Sequence, residues 1–403
     1  VGPAVVVDVR RSRPDAGTLG QGFDGGTGAN LGGYSGAGGG GAAGAGSSKT
    51  IITTNTAPTA YAQFGFSVAI SDDGSRYIVG APYASSSTGY AAVFSSADGS
   101  LVSTLTSTAG ASSQFGHCVD ISDDGTLVIV GAPTASSGTG YAGVYYASNG
   151  IELASLTGSG SQFGFSVAIS GDGLTAAAGT PSTDGTTGYV TCYTGANYAT
   201  TTPVVYTSVA DDYFGYAIDL NTDGSRIIIG APNRSSGSGY ASVFLTSTGG
   251  FFRNFVSAAG VYGYFGYSVA ISGDGSITGV GAPTANTNTG YAATYTVSTG
   301  NIRSTLTNVP LGNSQFGYSI RLNNTGSLAV VGAPLRTSVD QDDLGGYAAV
   351  FLTSDGSVYR TLLSENPLAG ISVGYSSVGT AIVGAACPEV LPFRVDGGIA
   401  VYS

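Results

Sequence analysis

The chain has 403 residues, of which 9% are charged, with a net charge of -11 and a single lysine, Lys49. Such a balance lacks the basic surface that phosphate backbones demand, so nucleic acid is excluded as an expected partner. No run of eighteen apolar residues occurs, and no membrane span is expected.

The chain begins at Val1 and contains no methionine. It therefore reads as processed or partial, and removal of a secretory leader is one route to that state. Residues 1–48 stand apart from everything that follows. Val5, Val6, Val7 and Val9 form a short β-prone run around Asp8, and a glycine-rich tract extends from Gly20 to Gly46. A tract of that composition cannot bury enough side chain to offset its ordering entropy, so it is expected to act as a tether. The apolar run at its end is the expected assembly arm, docking on a neighbouring copy by strand addition.

From residue 49 onward one unit of about fifty residues recurs. Phe-Gly stands at Phe64, Phe115, Phe163, Phe214, Phe265 and Phe316, at intervals of 51, 48, 51, 51 and 51 residues, and a worn seventh copy starts near Ala369. Within the first copy, Ser67 to Ile70 and Arg76 to Val79 flank an Asp-Gly turn, a strong hairpin signal. Gly89 to Phe94 reads as a third strand, and Leu101 to Thr106, after a second turn, as a fourth. Four antiparallel strands written seven times predict an all-β, closed seven-bladed β-propeller of four-stranded blades over residues 49–403, preceded by the glycine-rich arm.

The last copy ends at Ser403, after only a third strand. Lys49 to Thr54 precedes Phe64 much as Leu101 to Thr106 precedes Phe115, so this N-terminal strand is expected to complete the last blade. Phe64-Gly65 followed by Gly80-Ala81-Pro82, repeated with Gly131-Ala132-Pro133, Gly230-Ala231-Pro232, Gly281-Ala282-Pro283 and Gly332-Ala333-Pro334, resembles the FG-GAP repeat of the integrin α-subunit propeller head. In that family some loops bind calcium through a longer Asp-x-Asp-x-Asp-Gly pattern. The turns here, such as Ser71-Asp72-Asp73-Gly74, offer one or two carboxylates each, too few for a hard cation, so no cofactor is expected.

Several further residues carry groups capable of chemistry. His117, the only histidine, occupies an aromatic position of the repeat and is expected to be a packed ring. The position of Ala69 becomes Asp120, Asp219 and Arg321 in alternate copies, which predicts a charged channel lining. Alternate blades are expected to hold these three too far apart for a tight pair of the kind a glycosidase uses. The loops after Gly-Ala-Pro, for example Ser85-Ser86-Ser87-Thr88, must project from one face of the ring and are candidates for O-linked sugar. Asn233 and Asn323 head N-glycosylation sequons. Tyr90, Tyr141, Tyr189, Tyr240, Tyr291 and Tyr347 recur in register, and blade packing is favoured over sugar stacking for them. Cys118, Cys192 and Cys387 fall in different copies, with no bridge expected.

The copies differ little from one another, whereas an enzyme usually breaks its repeat where the chemistry sits. The expected function is therefore non-enzymatic: a structural or adhesive protein outside the cell or on a virion, assembling with itself into a filament or lattice. A glycan-binding module is the alternative, and a channel-centred polysaccharide enzyme the third reading. Glycans or another surface protein are the expected further partners.

Overall fold

A computed structural model describes residues 49–50, 62–158, 160–181, 187–204, 212–257, 263–307, 313–335, 345–385 and 398–402. The expectations for residues 1–48, including Val5, Val6, Val7 and Val9, lie outside these residues, as does Cys387.

Seven four-stranded antiparallel sheets make seven blades of an all-β propeller. In blade one Ser67–Ile70, Arg76–Gly80, Ala91–Ser95 and Leu101–Leu105 pair in chain order from the axis outward. Blades two to six repeat this order over 118–156, 166–204, 217–255, 268–306 and 319–367. Blade seven takes Ala369–Tyr375, Ala381–Ala385 and Gly398–Tyr402 from the end of the chain and Lys49–Thr50 from its start. Lys49 pairs with Tyr402 and Thr50 with Val401. Among the described residues no helix is long and apolar enough to cross a membrane.

The Phe-Gly signature is a turn with a job. Phe66 N–H donates to the Gln63 carbonyl at 3.1 Å, and Gly65 sits at φ 92°, the left-handed position that a type II turn reserves for glycine. Blades two to six repeat the bond, as from His117 to Gln114 and from Tyr318 to Gln315. The turn aims the Phe ring inward between blades. Phe115 is fully buried with Val93, Leu105 and Tyr145, burial that contributes about 2–3 kcal/mol per ring.

The Gly of Gly-Ala-Pro answers a different need. A Cβ on Gly80 would run into the carbonyl of Gly116 in the next blade, and Gly131 stands in the same relation to Gly164, Gly230 to Gly266 and Gly332 to Gly370. Inner-strand serines reinforce these joints: Ser166 Oγ donates to Gly215 O at 2.7 Å, Ser268 Oγ to Gly317 O at 2.8 Å and Ser319 Oγ to Gly370 O at 2.9 Å. Blade seven meets blade one in the same manner. Gly384 faces the Gly65 carbonyl, Ser372 Oγ donates to it at 2.8 Å, and Ile382, Ile399 and Val401 share a core with Phe64 and Phe94.

Pairing between the two ends of the chain makes a direct prediction about truncation. Removal of residues 1–48 should leave the thermal midpoint of the propeller unchanged, whereas removal of residues 1–56 should lower it by baring the edge of Gly398–Tyr402. Equal midpoints for the two shortened chains would show that Lys49–Thr50 adds nothing to blade seven.

Candidate functional site

Chemistry-bearing side chains gather on the axis in three tiers. The first is a collar of aromatic rings at the entry to the inner strands: Phe66, His117, Phe165, Tyr216, Tyr267 and Tyr318. Neighbouring ring centres lie 4.7–5.2 Å apart and neighbouring planes are tilted by 46–54°. Seven blades spaced evenly about a closed axis would each turn by about 51°, a step that the observed tilts bracket. At 5 Å spacing the rings cannot lie flat around a lumen; they stand edge-on to it, like vanes. Blade seven contributes Ile371 at this position, half-buried.

His117 keeps its place in this row. Its Nδ1 lies 3.1 Å from the Phe165 carbonyl, which sets that nitrogen as the protonated one, and burial pushes its pKa down to about 4 against the pull of that carbonyl. Burial likewise pushes Tyr216 up to about 12. Tyr267 is raised too, by burial and then by the facing Tyr216 and Tyr318.

The second tier corrects the expectation that alternate blades hold Asp120, Asp219 and Arg321 apart. Arg321 Nη1 is 2.7 Å from Asp219 Oδ1, and its Nη2 is 3.1 Å from Asp120 Oδ1. The inner strands converge closely enough on the axis for one guanidinium to span from blade six to blades two and four. Each carboxylate uses its second oxygen on the following blade: Asp120 Oδ2 accepts from Ile169 N–H at 3.0 Å and Asp219 Oδ2 from Ile271 N–H at 2.9 Å. Both acids are 6% exposed. Burial raises both carboxyls, Asp219 to about 6, while Arg321 pulls the other way; the two acids hold the guanidinium firmly charged against its own burial.

A third tier escaped the sequence reading altogether. The first residue after each inner strand's closing Ser or Asn is Asp72, Asp123, Gly171, Thr222, Gly273, Asn324 and Ser377 in turn. Thr222 Oγ1 lies 3.0 Å from Asp123 Oδ2 and 2.9 Å from Asn324 Oδ1. Asn324 Nδ2 donates to Asp72 Oδ2 at 3.2 Å and to Asp123 Oδ2 at 3.3 Å, and Ser377 Oγ donates to Asp72 Oδ2 at 2.6 Å. The two glycines were the available signal: a Cβ on Gly171 would strike the Asp123 carboxylate, and one on Gly273 the Asn324 amide. Backbone bonds knit the same turns together, as from Asp73 N–H to Asp123 O, Asp123 N–H to Gly171 O and Ser377 N–H to Asp72 O. Between the second and third tiers lies a cavity of about 80 Å³, lined by Asp72, Asp120, Asp123, Asp219, Thr222 and Arg321 among others.

The carboxylates of the Asp-Gly turns face their own loops. Asp73 Oδ1 accepts from Ser71 Oγ at 2.6 Å and Ser75 N–H at 2.8 Å, and Asp124, Asp172, Asp223 and Asp274 repeat the arrangement. Their first role is to close a hairpin.

The sugar-acceptor candidates separate on burial. Asn323 is 7% exposed, with Nδ2 donating to Thr325 Oγ1 and Ser327 Oγ and Oδ1 accepting from Leu328 N–H, so its amide lies inside the turn it stabilises. Asn233 is half-buried at a loop start, its N–H donating to Asp212 O. Ser85 and Ser86 are exposed, Ser87 and Thr88 half-buried. Ser85, Ser86 and Ser87 all have φ between 51° and 65°, a left-handed turn that polar punctuation did not foretell, and Ser136–Ser137, Ser235–Ser236 and Asn286–Thr287 copy it. Tyr141, Tyr240 and Tyr347 are buried and Tyr90, Tyr189 and Tyr291 half-buried, with Tyr141 Oη 2.9 Å from Tyr145 Oη. Cys118 and Cys192 are free thiols, Cys118 Sγ accepting from Val167 N–H where other copies place serine.

No protein-family model matches this chain, and no curated protein matches it in sequence.

Proposed function

We propose that the chain is a non-enzymatic scaffold of the FG-GAP kind: a closed seven-bladed ring over residues 49–403 that works outside the cell or on a virion, as a structural or adhesive protein, and joins other copies through residues 1–48. The observation that carries this reading is the state of the axial side chains. Asp120, Asp219 and Arg321 are the candidates an enzyme would use, and all four carboxylate oxygens are engaged in tying blades together. A general acid or nucleophile needs an oxygen turned toward substrate. The tilt of 46–54° between successive collar rings supports closure after seven blades. No resident metal belongs to this reading, since the turn carboxylates serve their own hairpins.

A glycan-binding role is the second reading. The exposed Ser85–Ser86, Ser136–Ser137, Ser235–Ser236 and Asn286–Thr287 turns favour it, because they present polar side chains in one repeated backbone pose.

Light scattering on the full chain and on a chain lacking residues 1–46 tests the scaffold reading. Assembly of the full chain and a monomeric mass for the shortened one is the expected pair of results. If both reach the same mass, residues 1–46 are not the connector and the reading falls.

A further inference from the structure

Hydrogen counting in the third tier does not balance when every acid is ionised. Thr222 Oγ1 has one hydrogen, yet it lies 3.0 Å from Asp123 Oδ2 and 2.9 Å from Asn324 Oδ1. Turning the Asn324 amide over does not help. Its oxygen would then face the carboxylates of Asp72 and Asp123 with no hydrogen between them, so Nδ2 must point toward those two acids. One of the two contacts of Thr222 is left as a bare oxygen pair, unless Asp123 itself carries a proton.

We propose that Asp123 is a proton switch: protonated, it donates to Thr222, which donates to Asn324, whose amide donates to Asp72, so that one continuous chain crosses the axis from blade two through blades four and six to blade one. Ser377 of blade seven donates to the same Asp72 oxygen. Loss of the proton removes the only hydrogen available to one contact of Thr222, and the chain parts there.

The surroundings favour uptake. Burial pushes the Asp123 carboxyl up to about 6; the Thr222 hydroxyl pulls it down, and Asp72, Asp120 and Asp124 push it further up. Asp72 faces it from blade one, Asp120 from its own strand and Asp124 from its own turn, while Asp219 of blade four and Arg321 of blade six line the same cavity. Asp172 of the adjacent turn directs its carboxylate to Ser170 and Leu174 instead. A carboxyl raised above its unfolded value of 3.8 stabilises the fold below that value, and the contribution is lost as pH rises through about 6. His117 has the opposite sign: lowered to about 4, it is stabilising above its unfolded 6.5 and loses that contribution as pH falls through about 4.

The test removes the histidine first, as His117→Phe, the residue that Phe66 and Phe165 supply at the same place in other blades. In that background the side-chain carboxyl carbon of Asp123 is followed by NMR from about pH 4 to about pH 8, beside the thermal midpoint. A titration midpoint of about 6 for Asp123 is expected. The thermal midpoint should fall by roughly 2 °C across that range. The fall should be smaller in Asp123→Asn, whose amide can donate to Thr222 without titrating; the remaining slope belongs to Asp219 and Asp120. An Asp123 midpoint near 4 overturns the proposal whatever the variants do. So does an unchanged slope in Asp123→Asn.

Discussion

Replacing Arg321 with leucine is expected to destabilise the fold by about 3–5 kcal/mol at neutral pH, measured by chemical denaturation. The Arg321 guanidinium pairs with both Asp120 and Asp219, and removing it leaves two carboxylates 6% exposed with no other ion-pair partner among the described residues. Burial already raises both carboxyls while Arg321 is present, so without it they rise further. The sign follows: each acid prefers its proton in the folded state, and the deficit of Arg321→Leu should shrink as pH falls below neutrality. Combining Arg321→Leu with Asp120→Asn and Asp219→Asn removes the unpaired charges and should recover most of the loss. A single variant that loses under about 1 kcal/mol would mean that the axis is wet enough to screen its charges.

Gly131→Ala is expected to cost about 3 kcal/mol or more, because the new methyl group meets the Gly164 carbonyl of the next blade, and one backbone cannot yield to the other. Gly384→Ala makes the same collision with the Gly65 carbonyl between blades seven and one. Equal losses for the two are expected if that joint carries the same load as the others. Gly250→Ala is the control, since its methyl group would meet only the Thr248 hydroxyl, the end of a movable side chain. A neutral Gly131→Ala would show that neighbouring blades separate easily.

The architecture was legible because each copy restates it. Ser67 to Ile70 and the Asp-Gly turn recur with enough β-branched residues and turn chemistry to place strands, and the spare third strand at the end of the chain pointed to Lys49. Periodicity was silent on the axis, because a repeat describes a blade and says little about the width of the space that blades enclose. Asp120, Asp219 and Arg321 were visible as departures from Ala69. Their meeting depends on a radius that only the assembled strands define. Asp72, Asp123, Thr222, Asn324 and Ser377 were harder still. They occupy a turn position where Asp, Thr, Asn and Ser are all ordinary, and the reasons for Gly171 and Gly273 lie in side chains from other blades.

Going round the axis, the residue at the Ala69 position reads Ala69, Asp120, Ala168, Asp219, Ala270, Arg321 and Gly374, short and long by turns. Blade seven also borders blade one, so with seven places the alternation breaks once, where two like members stand side by side, as in a frustrated row of spins. Here the two neighbours are Gly374 and Ala69, both short, and both border the axial cavity. This parity defect falls between blade seven, where the chain's two ends pair, and blade one. The seven places are therefore not interchangeable, and the molecule carries an internal mark of where its count begins.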